Sequence, residues 1–229
     1  MEYPHNRPYT ADDLVRIVTL LRDPVNGCPW DKVQTHTSIR MNFLEEAYEA
    51  VDALDLDDPV LMCEELGDVL MQVAFHTCME QETGRFTWEQ VCDGVCQKLI
   101  ERHPNIFGTQ PGYEGITDWD ALKNKEKGRR TLADDLESVP RAMPALMRAA
   151  KLQKRAARHG AALQGADAAA LADAAENLQT VQPARAQAEQ AVGELLFAAA
   201  NLARQAGVDP EQALQKANEA FCTAAGPVA

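Results

Sequence analysis

Two acidic clusters interrupt an otherwise apolar pattern, Glu45-Glu46-x-x-Glu49 and Glu64-Glu65-x-x-Asp68. Side chains three or four apart share a helix face, so each cluster directs two or more carboxylates the same way. Two such helices side by side gather at least four carboxylates about one point. That much uncompensated negative charge is costly. A hard divalent cation offsets it, and an all-oxygen donor set suits Mg²⁺ or Mn²⁺. The competing reading is a solvated acidic helix face, the default for any single glutamate. The matched spacing on two helices favours the metal centre.

Helices must position these groups, and the sequence marks them. Thr10-x-x-Asp13 fits a capping box before Leu14, Val15, Ile17, Val18 and Leu21, and Asp23-Pro24 with Gly27 ends that helix. After the loop Gly27-Cys28-Pro29-Trp30-Asp31, a second helix is expected from Thr37-Ser38 to about Leu56. Its apolar face would be Leu44, Ala47, Tyr48, Val51 and Leu54. Asp58-Pro59 opens a third helix that runs to Gly84, and Thr87-x-x-Gln90 opens a fourth that closes at His103-Pro104. No persuasive strand alternation occurs. Residues 108–140 carry several Gly and Pro and the basic stretch Lys123, Lys125, Lys127, Arg129, Arg130, and read as a connection with one short helix near Trp119 to Glu126. From about Ala142 the chain is helical and alanine-rich.

Composition narrows the function. With 46% hydrophobic residues, 229 residues can bury a substantial core. A net charge of −13 repels nucleic acid backbones and anionic membranes, so neither is an expected partner. A small anionic ligand remains compatible, because a bound cation and a local basic patch reverse the local field. Six cysteines without a C-x-x-C pair read as reduced thiols of a cytoplasmic protein, with Cys92 and Cys96 as core thiols. The polar start shows no apolar signal segment, and no apolar run approaches a membrane span.

The chain also repeats itself. Gly67-Asp68-Val69-Leu70 is echoed by Gly193-Glu194-Leu195-Leu196, and each leads to a glycine and a newly capped helix. Where the first half has Glu46-x-x-Glu49 and Glu65-x-x-Asp68, the second has Glu176-x-x-Gln179 and Ala191-x-x-Glu194. The second copy retains the packing pattern and loses about half of its candidate ligands.

The acidic pattern resembles that of the MazG-type nucleoside triphosphate pyrophosphohydrolases. So do Cys28-Pro29-Trp30-Asp31-x-x-Gln34-Thr35-His36 before it and Lys98-Leu99-Ile100-x-Arg102-His103-Pro104 after it. The similarity runs from about Leu14 to Phe107. It continues thinly through Trp119, Lys123 and Lys127, then through Lys151-Leu152-Gln153-Lys154 and the second repeat. The resemblance implies an all-α fold of two tandem four-helix-type repeats that assembles as a helical homodimer, helices from two chains building the site. The first repeat would span 10–110, the basic connection 111–140 and the degenerate second repeat 141–225. It also implies cleavage of a nucleoside triphosphate to monophosphate and pyrophosphate with Mg²⁺. By position, Glu46, Glu49, Glu65 and Asp68 would be the metal ligands, with Glu45 a further acidic member. Departures from the family pattern include Cys96 where an asparagine is common, and Ala220 and Ala224 where the second repeat lacks basic partners. Ala161-Ala162-Leu163 replaces a common Phe-Asp-Trp stretch.

Under this reading Glu45 serves as general base or outer support. Lys98 and Arg102, at i,i+4, neutralise the triphosphate tail, although a basic pair near a helix C-terminus is also favoured by the dipole alone. Lys123 and Lys127 would close over the ligand or belong to an exposed linker. Trp30 would stack on a base or pack on the nearest helix, and Asp31 would bind substrate or cap the following segment. His36, His76 and His103 read as structural, since none holds a metal-ligand spacing to the clustered glutamates. The expected activity is broad NTP and dNTP hydrolysis that maintains the nucleotide pool. Alternatives are a narrower enzyme acting on dUTP or a phosphoribosyl nucleotide, a non-catalytic nucleotide- or metal-binding regulator, and a purely structural helical module.

Overall fold

A computed structural model describes residues 2–104, 106–108, 119–163, 165–180 and 185–226. Among these the regular structure is all α apart from a 3-10 turn at Asp31–Val33. The chain forms two compact units, Met1–Ile116 and Thr117–Ala229.

The first unit contains α1 (Ala11–Leu21), α2 (His36–Asp55), α3 (Pro59–Glu82) and α4 (Trp88–Arg102). The capping boxes at Thr10 and Thr87 form as expected. α2 begins slightly earlier than expected, because Thr35 takes the cap and Ser38 returns the bond. Asp58 accepts from the N–H groups of Val60 and Leu61, with Pro59 at the first helical position. Gly27 is demanded by space: a Cβ there would sit 2.4 Å from the carbonyl oxygens of Asp23 and Leu21, where the chain folds back over the end of α1.

α3 is the central helix, packing against α1, α2 and α4. All of its buried residues lie between Gln72 and Glu80. There Ala74, Phe75, Cys78 and Met79 meet Val15 and Val18 of α1, Ile39 of α2 and Trp88 of α4. The Trp88 indole N–H also donates to Asp12 Oδ1 at 3.2 Å, tying α4 to α1. The half of α3 that carries the acidic cluster is therefore held by a core built on its other half.

Three residues, Leu56 to Asp58, join α2 to α3. Asp57 takes a left-handed conformation (φ 53°), which aspartate tolerates better than most residues. The two helices fold into an antiparallel hairpin, so positions equidistant from Asp57 face each other. Ile39 and Phe75, eighteen residues on either side, are both buried.

The face of α2 differs from expectation. Tyr48, Val51 and Leu54 are about half exposed, whereas Ile39, Ala50 and Ala53 are buried. The small Ala50 and Ala53 side chains let the helices approach closely, and the larger residues are left on the outside. Cys96, expected in the core, is also exposed, while Cys92 packs against the core. The second half of α4 leaves Val95 and Leu99 half exposed.

The second unit contains α5 (Trp119–Glu126), α6 (Leu132–Glu137), α7 (Ala145–Arg158), α8 (Ala168–Thr180), α9 (Arg185–Gln205) and α10 (Pro210–Ala225). α9 packs against α7, α8 and α10, much as α3 packs against its three neighbours. α6 was not expected; the capping box between Thr131 and Asp134 starts it. It buries Asp135, whose carboxylate faces Arg155 at 3.1 Å, Arg158 at 3.3 Å and His159 at 3.2 Å. Burial pushes this carboxyl up, but Asn124, His159 and the two guanidinium groups outweigh it and hold it below the usual carboxylate range. Asp135→Ala leaves the Arg155 guanidinium buried without its counter-charge. The expected cost is about 3–5 kcal/mol, read as a lower denaturant midpoint.

Candidate metal and nucleotide site

The hairpin brings the acidic residues together. Glu49 and Glu65 lie eight residues before and after Asp57, and Glu46 and Asp68 eleven. Each pair therefore stands at the same height on facing helices. One carboxylate oxygen from each of Glu46, Glu49 and Glu65 lies within 4.8 Å of the others. Asp68 is near enough that its charge acts on both Glu46 and Glu65.

The electrostatics fit a cation site. Burial pushes the Glu46 carboxyl above its ordinary range, and the charges of Asp68, Glu49 and Glu45 push it further, against a hydrogen bond from Gln72. Glu65 is raised by burial and by Glu49, Asp68, Glu64 and Glu46. Like charges held this close disfavour ionisation of one another. A divalent cation reverses that penalty, and a donor set of carboxylate oxygens matches the hard ions Mg²⁺ and Mn²⁺. Glu45 is exposed beside the cluster.

The other expected site residues stand on further elements of the chain. Lys98 is exposed and Arg102 half-buried on α4. Trp30 is 57% exposed. Asp31 opens the 3-10 turn, and its carbonyl accepts from Arg22 at 2.8 Å. Lys127 is exposed beyond α5 in the second unit, and the side chain of Lys123 lies outside the described residues. In the second unit Glu176 and Glu194 are exposed, and Gln190 donates to Glu194 at 2.8 Å; the side chain of Gln179 lies outside the described residues.

Two supports were not foreseen. Arg22, 8% exposed, binds Glu82 with two nitrogens at 2.6 and 2.8 Å. It also donates to the carbonyls of Asp31 and Gln34, so it anchors the loop bearing Trp30 and Asp31. The second support lies along α3 beyond Asp68, where Gln72, His76 and Glu80 follow at successive turns. His36 Nδ1 meets His76 Nδ1 at 2.7 Å, and His36 Nε2 meets Glu80 at 2.6 Å. Polar residues at a four-residue period in α3 are the signal that could have revealed this ladder.

Burial, and then the neighbouring His36, lower the His76 pKa. His76 therefore stays neutral in the fold at pH values where an unfolded histidine, with a pKa of about 6.5, takes a proton. The unfolded chain then binds more protons, so stability falls as pH drops through that range and levels off below the folded pKa. Denaturant midpoints measured from pH 7.5 to 5.5 should fall in the wild type and fall less in His76→Gln.

The comparisons with known proteins agree with this geometry. Residues 34–107 match the MazG nucleotide pyrophosphohydrolase domain, a stretch that contains all six residues of the two acidic clusters together with Lys98 and Arg102. The chain is 41% identical over 224 residues to the nucleoside triphosphate pyrophosphohydrolase of Escherichia coli (strain K12), covering 92% of this chain and 83% of that protein. It is 39% identical over 212 residues to the nucleoside triphosphate pyrophosphohydrolase/pyrophosphatase MazG of Thermotoga maritima, covering 92% and 82%. The nucleoside triphosphate pyrophosphohydrolase of Mycobacterium tuberculosis matches at 35% over 154 residues, covering 66% of this chain and 46% of that protein. With its acidic hairpin, its all-α build and relatives that match along most of its length, the chain belongs to the MazG nucleoside triphosphate pyrophosphohydrolase family, hydrolases that act on acid anhydrides.

Proposed function

We propose that this protein hydrolyses nucleoside triphosphates to monophosphate and pyrophosphate at the carboxylate cluster of the first unit, with Mg²⁺ as the cofactor and Mn²⁺ as a substitute. The observation that carries this is the convergence of Glu46, Glu49 and Glu65 within 4.8 Å, inside the charge field of Asp68.

Glu46, Glu49, Glu65 and Asp68 would hold the cation. Bound there, Mg²⁺ would offset charge on the departing pyrophosphate and acidify an attacking water. Glu45 takes the proton of that water. The oxygen bonds to the α-phosphorus, and the bond from that phosphorus to the α–β bridging oxygen breaks. Lys98 and Arg102 offset the charge of the triphosphate tail. Trp30, more than half exposed, offers a stacking face to the base, and Asp31 a polar contact beside it. Stacking is tolerant of base identity, which supports broad NTP and dNTP specificity over a preference for dUTP or a phosphoribosyl nucleotide.

The assembly we propose is a homodimer in the cytoplasm. Tyr48, Val51, Leu54, Leu66, Val95 and Leu99 are all half exposed, and a second copy would cover them. Among the described residues no helix is long and apolar enough to cross a membrane. Light scattering at micromolar concentration should give twice the chain mass; a monomer mass would remove the dimer.

Product analysis tests the reaction. The purified chain, incubated with Mg²⁺ and each common NTP and dNTP, should yield monophosphate and stoichiometric pyrophosphate, and none in EDTA. Diphosphate with orthophosphate would overturn the bond assignment. Binding without turnover would leave a nucleotide-binding regulator.

A further inference from the structure

Gln72 sits one turn beyond Asp68 on α3 and is 6% exposed. Its Nε2 donates to Glu46 Oε1 at 3.3 Å. An ionised carboxylate only accepts, so the amide must turn its NH₂ towards Glu46. Its own carbonyl oxygen, Oε1, is then buried without a hydrogen-bond partner among the described residues. Such an orphan is destabilising. A methionine of similar length would fill the same space without that cost, so the amide is a poor choice for packing alone. It makes sense where both ends of the amide have work: one holding a ligand carboxylate, the other waiting for a donor that the folded chain does not supply.

We infer that Gln72 is a positioning residue of the metal centre: its Nε2 fixes the Glu46 carboxylate, and its Oε1 accepts a hydrogen bond from a water held against the cluster. The inference rests on the proposal that the cluster binds a divalent cation. Partners that orient ligands in this way typically change metal affinity about 10–100-fold when removed. Gln72 also stands at the junction between the site and the core, the first of the buried residues of α3.

Mn²⁺ titration of the full chain without nucleotide, followed by loss of the free-ion electron paramagnetic resonance signal, tests this. Gln72→Met should weaken Mn²⁺ binding about 10-fold, while its melting temperature in EDTA equals or exceeds that of the wild type. The Mg²⁺ concentration for half-maximal turnover should rise in parallel, with the nucleotide KM at saturating Mg²⁺ unchanged. Gln72→Asn keeps an amide but withdraws it by one methylene from Glu46, and should show the same loss of affinity. Wild-type Mn²⁺ affinity in either folded variant would overturn the role of Gln72, as would a loss of thermal stability with affinity intact. Glu49→Gln in the same titration separates the two levels: if it too binds Mn²⁺ like wild type, the metal centre itself is wrong.

Discussion

Glu49→Gln should lower the rate of pyrophosphate release by about 10³-fold or more, equivalent to about 4 kcal/mol of transition-state stabilisation, without lowering the melting temperature of the metal-free protein. The two effects have one cause. Glu49 lies on the exposed side of the cluster, and its charge opposes ionisation of both Glu46 and Glu65. Without a cation, an amide there removes repulsion and costs little packing. With one, it removes a ligand. Thermal unfolding in EDTA and in saturating Mg²⁺ shows both sides. The wild type should gain stability from Mg²⁺ by mass action, and Glu49→Gln should not. Equal metal-induced shifts in the two proteins would count against Glu49 as a ligand.

The second large effect is expected at Arg22. Arg22→Leu removes a bidentate pair with Glu82 and two donations to the carbonyls of Asp31 and Gln34. Glu82 is half exposed and regains water, so the loss falls mainly on the buried carbonyl contacts and on the loop they fix. A destabilisation of about 2–4 kcal/mol is expected from urea unfolding. The surviving folded enzyme should keep its Mn²⁺ affinity, since Glu46 and Glu49 stand several turns along α2 from Gln34. Its nucleotide KM should rise about 10-fold, because Trp30 and Asp31 lose their anchor. Unchanged KM would remove that loop from substrate binding.

Much of the architecture is local and was therefore legible. Helix starts are written in residues three apart: Thr10 with Asp13, Thr87 with Gln90, and Asp58 just before Pro59. The acidic cluster was legible for the same reason. An i,i+3 pair on each of two helices, joined by a three-residue turn, has few ways to fold except face to face.

What was not legible depends on partners distant in the chain. The apolar pattern of α2 has residues on more than one side. Periodicity named Tyr48, Val51 and Leu54 as the inner face, but the close approach at Ala50 and Ala53 decides the packing, and these alanines give a weak apolar signal. Arg22 binds a carboxylate sixty residues away, which no local pattern announces. α6 was hidden because Gly128 and Pro140 bracket it in a stretch that reads as a connection, although Thr131 and Asp134 mark its start. Gln72 looked like an ordinary polar position of α3; only the facing helix shows that its amide reaches Glu46.

The central claim is that the first unit's carboxylates carry the reaction. Pyrophosphate release by the wild type, Glu49→Gln and Glu194→Gln, measured side by side with one NTP and Mg²⁺, tests it most directly. Glu194 is exposed in the second unit and is the residue that the sequence echo sets against Asp68. The account predicts that Glu194→Gln matches the wild type and that Glu49→Gln releases none above background. Full activity in Glu49→Gln with loss in Glu194→Gln would contradict it and move the active centre to the second unit.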